Sequence, residues 1–207
     1  MQYSSGMVEG LRERKKQRTR QALIEAALRL FLEKGFEETT LAEIAEQADV
    51  STRTFFSYFA GKEDVVFYDT AARLDLALGV LEGRRPDESV TGVLMRIVEE
   101  SFEQAVSYQD LTSEDAALRV RLILTEPALQ ARALLLLFDT QLKLAEGLHE
   151  AFPELTRVDA AAAVGALIGA VKLGVMATLE DEQTLADILG TARRAAEVAI
   201  SGLRALG

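Results

Sequence analysis

The chain has 207 residues, 49% of them hydrophobic, with only 3 prolines and no cysteine. That length suits one or two domains with a real core, and an alanine- and leucine-rich composition favours an all-α fold. The missing cysteine excludes a disulfide framework and a thiol nucleophile, and a net charge of −10 excludes a uniformly basic nucleic-acid binder.

No uninterrupted run of 18 apolar residues is visible, and the N-terminus lacks a basic segment followed by an apolar one. The expectation is a cytoplasmic protein with no membrane partner. Residues 1–11 are polar and glycine-bearing, and read as a disordered tail. A first helix is predicted from about Arg12 to Lys34. Leu23, Ala27, Leu30 and Phe31 form its apolar stripe, and Gly35 stops it. Its start carries Arg12, Arg14, Lys15, Lys16, Arg18 and Arg20 against one acid, Glu13. Residues 1–64 hold 10 basic and 11 acidic side chains, and the rest of the chain holds 13 against 22. The basic cluster is therefore local. It is suited to lie along phosphates, with Arg14, Lys15 and Arg18 as candidate contacts. A solvated charged tail is the plainer alternative.

Residues 40 to 63, TLAEIAEQADVSTRTFFSYFAGKE, carry the most information. Thr40-Leu41-Ala42-Glu43 fits a capping box, with hydroxyl and carboxylate each serving the other's amide. Leu41, Ile44, Ala45 and Ala48 recur at helical spacing, and Ala45 is small enough for a second helix to cross closely. Asp49 and Val50 make a turn, and Ser51 is placed to cap the next helix. Phe55 and Phe59 share one face and should pack inward. The opposite face is centred on Arg53 and Ser57 and flanked by Thr54 and Phe56. An outward phenylalanine is sensible against sugars or thymine methyls. Thr52 lies in the first turn, and Tyr58 at the edge of the exposed face. Lys62 opens the following helix, where a cation opposes the macrodipole unless a phosphate is bound beside it. Two short helices in this order are a helix-turn-helix, which presents one face to a major groove. A capped turn within an ordinary helical core has the same local pattern.

The string is more specific than the spacing. A basic helix ending LEKGFEETT, then LAEIAEQADVS, then RTFFSYFAGKED resembles the DNA-binding domain of the TetR family of bacterial regulators, over about residues 14 to 64. The family's usual T-L-Y-x-H-F-x-x-K-E stands here as Thr54-Phe55-Phe56-Ser57-Tyr58-Phe59-Ala60-Gly61-Lys62-Glu63. Phe56 replaces a tyrosine and lacks its hydroxyl. Tyr58 replaces a histidine and still donates. Asp49 replaces a frequent glycine and tolerates a left-handed backbone. The resemblance implies double-stranded operator DNA as partner. Its contacts would be Arg14, Lys15, Arg18, Thr40, Ser51, Thr52, Arg53, Thr54, Phe56, Ser57, Tyr58 and Lys62.

Further along, a helix is predicted from Lys62 to Glu82. A loop follows at Gly83-Arg84-Arg85-Pro86-Asp87. Helices are then expected at Glu88–Ser107 and Glu114–Leu124. Pro127 opens another, running to Ala151 and broken by Phe152-Pro153-Glu154. Two more are expected at Arg157–Leu179 and Glu182–Leu206. The count is about nine. The domains are a tail at 1–11, a helix-turn-helix at 12–64, and a ligand-sensing and dimerisation domain at 65–207.

Small residues recur at Ala161, Gly165 and Gly169, with Gly174 and Ala177 nearby, and allow close helix approach. Leu185, Ile188, Leu189, Ala192, Ala196, Ala199 and Leu203 form a second apolar stripe. The resemblance implies that the last two helices form a homodimer interface, here Ala161, Gly165, Gly169, Leu185, Leu189, Ala192, Ala196 and Leu203. The alternative is that both stripes pack into the chain's own core. The resemblance also implies an apolar cavity for a small-molecule effector. Candidate lining residues are Phe67, Leu74, Leu78, Phe102, Arg119, Leu122, Phe138, Leu142 and Val171. The string RLILTEPALQAR resembles a subset thought to bind acyl-CoA-like ligands. Arg119, Arg121 and Arg132 either meet an anionic head group or are exposed charges.

An enzyme finds little support. Acid–base or triad chemistry usually needs a histidine or cysteine with partners, and His149 is the only histidine. It reads as structural or solvated. No phosphate-binding glycine loop is present, and no cofactor or metal is expected. A purely architectural DNA binder would not need so large an apolar body beyond the motif. The reading is a repressor that a small apolar or amphipathic effector releases from a palindromic site.

Overall fold

The computed structural model describes residues 5–107, 113–180 and 183–203, with side chains for 12–104, 114–180 and 183–203. Among the described residues there are ten helices and no strand. They are α1 Ser5–Lys34, α2 Leu41–Gln47, α3 Thr52–Phe55, α4 Lys62–Val66, α5 Thr70–Glu82, α6 Val90–Ser107, α7 Ser113–Thr125, α8 Pro127–Ala151, α9 Arg157–Thr178 and α10 Leu185–Leu203. The chain divides into two compact units, Met1–Tyr68 and Asp69–Gly207.

In the first unit α1 begins at Ser5, inside the segment expected to be a disordered tail; residues 1–4 lie outside the described residues. It ends as expected. Gly35 has φ 91°, and its amide reaches back to the carbonyl of Phe31, a left-handed C-terminal stop that glycine adopts without strain. Leu23, Ile24, Ala27, Leu28 and Phe31 of α1 are buried with Phe36, Ile44, Ala45, Phe55, Phe59, Val65 and Val66.

The expected helix over 62–82 is two helices, which accounts for ten in place of about nine. α4 ends at Val66 and α5 starts at Thr70. Between them Tyr68 and Asp69 are both buried, and each is held by an arginine from its own unit. Those long-range bonds override a periodicity that by itself continues through the break.

In the second unit the main cluster gathers Val80, Leu81, Val93, Leu94, Leu148, Phe152, Ala160 and Val164 from α5, α6, α8, the α8–α9 turn and α9. A smaller one joins Ala117, Val175, Leu185, Ile188 and Ala192. Arg84 ties the α5–α6 loop to the end of α8. Its guanidinium donates to the Ala151 carbonyl at 2.9 Å and lies 4.0 Å from the Phe152 ring centroid. Two helices start on Thr-x-x-Asp boxes of the same kind as Thr40–Glu43, namely Thr156–Asp159 and Thr184–Asp187. Thr184 therefore caps α10 and sets its start at Leu185, later than the sequence pattern suggested. The predicted end at Leu206 lies outside the described residues.

α9 is the one helix among the described residues long and apolar enough to cross a membrane by length and composition. Its best window has a mean hydropathy of 1.9 and is 28% buried.

Candidate nucleic-acid interface

The interface is built on the α2–α3 corner. Thr40 and Glu43 make both bonds of the capping box. The Thr40 hydroxyl accepts from the Glu43 amide at 3.3 Å, and the Glu43 carboxylate accepts from the Thr40 amide at 2.9 Å. The carboxylate also takes the Lys34 ammonium. Lys34 first, then the Thr40 hydroxyl and amide, lower the Glu43 pKa from 4.5 to about 2. The α1–α2 corner is thereby tied to the first turn of α2.

Asp49 makes the turn at φ 53°, a left-handed conformation that aspartate tolerates better than most side chains. Ala45 is buried at the corner. The Ser51 hydroxyl caps α3 by accepting from the Thr54 amide at 3.1 Å. After Phe55 the helix tightens. The amides of Ser57 and Tyr58 bond carbonyls three residues back, as at many helix ends.

The outcome is a short segment with two unlike faces. Phe55 and Phe59 are buried with ring centroids 5.7 Å apart. Thr52, Arg53, Phe56 and Ser57 are exposed, and Thr54 and Tyr58 are half-buried. Phe56 stands 58% exposed and edge-on to the Phe55 ring.

Several expected contact residues have other occupations. The Thr40 hydroxyl serves its capping box on both sides. The Ser51 hydroxyl is bonded to Thr54, main chain and side chain. Lys62 departs furthest from the phosphate contact expected of it. Its ammonium donates to the carbonyls of Phe36, Glu37 and Thr39 at 2.7, 3.1 and 3.3 Å, and lies 4.4 Å from the Phe36 ring centroid. An ammonium has three donors, and three carbonyls occupy them. The cation that a helix start disfavours is thus compensated by the α1–α2 loop, with no phosphate required.

The cations of α1 are sorted in the same way. Arg14, Lys15 and Arg18 are exposed and fall within about 100° of the helix circumference, so they form one basic stripe on a helix rather than a loose arm. Arg20 does not join them. It is half-buried, donates to the Tyr68 carbonyl at 2.5 Å, and sits 5.6 Å from the ring centroids of both Phe59 and Tyr68.

The second unit divides the remaining candidates. Among the proposed dimer residues, Leu185, Ala192 and Ala196 are buried inside the chain, Gly169, Leu189 and Leu203 are partly buried, and Ala161 and Gly165 of α9 are exposed. A Cβ at Gly165 or Gly169 meets nothing within 4 Å, whereas one at Gly174 falls 2.8 Å from the Ala195 Cβ. Gly174 is therefore where α9 and α10 of the same chain approach closely. The apolar residues of α10 were divided by packing that a single-helix pattern does not reveal.

Among the proposed lining residues, Leu122 is buried, and Phe67, Leu74, Leu78, Phe102 and Val171 are partly so. Phe102 and Val171 pack against both apolar clusters. Phe138 and Leu142 do not line the interior. They are 59% and 69% exposed, on an outer α8 face shared with Leu134 and Leu135, because Leu129, Ala145 and Leu148 take the inward face. Arg119 is engaged by Asp69 in a bidentate ion pair, and Asp69 carries no sequence signal for that role. The His149 Nδ1 lies 2.8 Å from the Leu155 carbonyl. It must carry the proton there, since a carbonyl only accepts, so His149 closes the α8–α9 turn.

Residues 23–68 match the family model described as bacterial regulatory proteins, tetR family. The HTH-type transcriptional regulator TcmR of Streptomyces glaucescens is 42% identical over 93 residues, covering 43% of this chain and 41% of TcmR. The chain thus spans about two fifths of the length of that relative. A TetR-family regulator from Syntrophomonas wolfei has the same fold with a TM-score of 0.64 at 16% identity, covering 93% of this chain and 100% of its own. FadR of Thermus thermophilus, a TetR-family repressor solved with lauroyl-CoA, superposes with a TM-score of 0.50 at 24% identity, covering 86% and 93%. Residues 23–68 thus match the helix-turn-helix segment of that family, and the chain as a whole shares the fold of these solved regulators.

Proposed function

We propose that this chain is a TetR-family transcriptional repressor that binds a palindromic operator as a homodimer and lets go when a small apolar or amphipathic effector enters the second unit. The outward face of α3 carries the reading. Thr52, Arg53, Phe56 and Ser57 are presented to solvent by a corner whose every backbone feature is locally secured, and the α1 stripe of Arg14, Lys15 and Arg18 supplies phosphate contacts. Arg53 is the base-reading side chain, since a guanidinium matches guanine edges in two bonds. Phe56 and Tyr58 flank it against sugar and phosphate.

Dimerisation is supported by the open face of α9. Val158, Leu173 and Met176 are 75%, 61% and 42% exposed, on the same side as Gly165 and Gly169. We assign the partner contact to this face rather than to the α10 residues first expected. A symmetric pair of helix-turn-helices reads two half-sites, and a large apolar face open to water calls for such a cover.

The effector is assigned to the region around Phe102 and Val171, between the two apolar clusters. The lauroyl-CoA held by the Thermus FadR supports an amphipathic class.

The test is selection of genomic fragments by the purified protein at modest ionic strength. We expect recovered fragments to share one inverted repeat, bound by two chains. Recovery of random fragments, or of none, sinks the reading.

A further inference from the structure

The inward face of α6 changes character before the helix ends. Val90, Val93, Leu94 and Val98 are buried in the main apolar cluster, and Ile97 packs against it. At about 100° per residue, Ser101 continues this line, and it is small and half-buried. Phe102 stands on one shoulder of Ser101 and Gln104 on the other. Phe102 reaches both apolar clusters. Gln104 falls between Val93 and Ile97 in projection along the helix, so it too belongs to the inward face. The large apolar residues that fill the face up to Val98 thus give way to a hydroxyl and an amide.

Those two polar groups differ in what they have. The Ser101 hydroxyl donates to the Ile97 carbonyl of its own helix at 2.6 Å. The Gln104 Oε1 is buried, and among the described residues it accepts no hydrogen bond. Buried polar atoms are nearly always paired, and an amide oxygen pairs only with a donor. The surroundings limit the charge that such a donor can bring. Between Ile97 and Leu118 the sequence has six acids, Glu99, Glu100, Glu103, Asp110, Glu114 and Asp115, and no lysine or arginine. Residues 69–207 carry 13 basic and 22 acidic side chains, a balance that repels anions. Arg119, the one cation among the candidate lining residues, already holds both Asp69 oxygens, at 3.0 and 2.5 Å. The two side chains of that pair are only 12% and 9% exposed.

We propose that Gln104 selects the effector by its head group. That group donates a hydrogen bond to Oε1 and carries no negative charge, as an alcohol or an amine does. The apolar part lies over Ser101 against Phe102. The amphipathic character of the lauroyl-CoA held by the Thermus FadR carries over, and an anionic head group does not. The inference deepens the effector reading above and rests on it.

The experiment measures the affinity of the full-length chain for four probes of similar length at neutral pH: 1-decanol, its isomer 1-methoxynonane, decylamine and decanoate, each below its micellar concentration. The alcohol and the ether differ in one donor. The amine is a cation that donates, and the carboxylate an anion that does not. We expect 1-decanol and decylamine to bind and to release DNA fragments that the wild type selects. The ether should bind about tenfold more weakly than the alcohol, since it leaves a buried acceptor open, and decanoate more weakly still. In Gln104→Leu the alcohol and the ether should bind alike, with Tm no lower than in wild type, because the variant removes an open acceptor and keeps the bulk. Isomers that bind alike to the wild type, as follows if water serves Gln104, overturn the inference. So does decanoate bound as tightly as 1-decanol, or a Gln104→Leu chain that keeps the preference for the alcohol. The wild-type comparison decides even if that variant does not fold. If none of the four probes binds, the effector reading and this inference fall together, whereas binding without the stated preference removes the inference alone.

Discussion

The Lys62 ammonium lies 2.7 Å from the Phe36 carbonyl oxygen and 4.4 Å from the centroid of the same residue's ring. One side chain from the start of α4 thus closes the α1–α2 loop, by hydrogen bonds and by a cation–π contact. Lys62→Met should cost about 2 kcal/mol of stability, since charged hydrogen bonds to partly buried carbonyls are lost. DNA affinity should fall with it while the salt slope stays constant. A slope reduced by about one unit, with Tm unchanged, would return Lys62 to the phosphate backbone.

Arg53→Ala should cost about 1–3 kcal/mol on the preferred site and flatten base preference there. Replacing Arg14, Lys15 and Arg18 by alanine should act on all sequences alike. Each phosphate contact removed lowers the salt slope by roughly one. Binding isotherms at several salt concentrations, on selected and scrambled duplexes, separate the two behaviours.

The Glu43 carboxyl is held at about 2, against an ordinary 4.5, chiefly by Lys34 and then by Thr40. A carboxyl depressed in the folded state stabilises it fully above the ordinary value, and that stabilisation is lost as pH falls through the folded one. Protonation of Glu43 should therefore loosen the α1–α2 corner between about pH 4.5 and 2. Denaturant midpoints measured across that range should show Glu43→Gln less stable than wild type at neutral pH, with the gap closing in acid. Parallel profiles would show that the corner does not depend on this charge.

Gly174 and Gly165 should separate folding from association. Gly174→Ala puts a Cβ 2.8 Å from the Ala195 Cβ, and overpacking of this kind costs about 1–3 kcal/mol. The variant should melt earlier at any protein concentration. A Cβ at Gly165 meets nothing within 4 Å, so Gly165→Leu should leave the fold intact while shifting the equilibrium from dimer to monomer. Sedimentation equilibrium beside thermal melts distinguishes them, and a Gly165→Leu chain that stays dimeric at low concentration misplaces the interface.

Features set by neighbours in sequence were legible from the chain alone. The Thr40–Glu43 box, the Asp49 turn, the Ser51 cap, the Gly35 stop and the start of α8 at Pro127 all depend on contacts within about five residues. So does the pairing of Phe55 with Phe59, which turns Arg53 and Ser57 outward. The Thr156–Asp159 and Thr184–Asp187 boxes carry the same spacing and were available to the same reasoning. Three things depended on partners distant in the chain. Lys62 and Arg20 are cations whose acceptors lie 23 to 26 and 48 residues away, and charge alone does not distinguish a phosphate from a carbonyl. Asp69 finds Arg119 across 50 residues, and that bond, together with Arg20, breaks a helix that periodicity continues. The α8 to α10 bundle has more apolar positions than one core can enclose. A helix apolar nearly all round has no unique inward face until its neighbours choose one. Packing, not pattern, sent Ala192 and Ala196 inside and left Gly165, Phe138 and Leu142 on the surface.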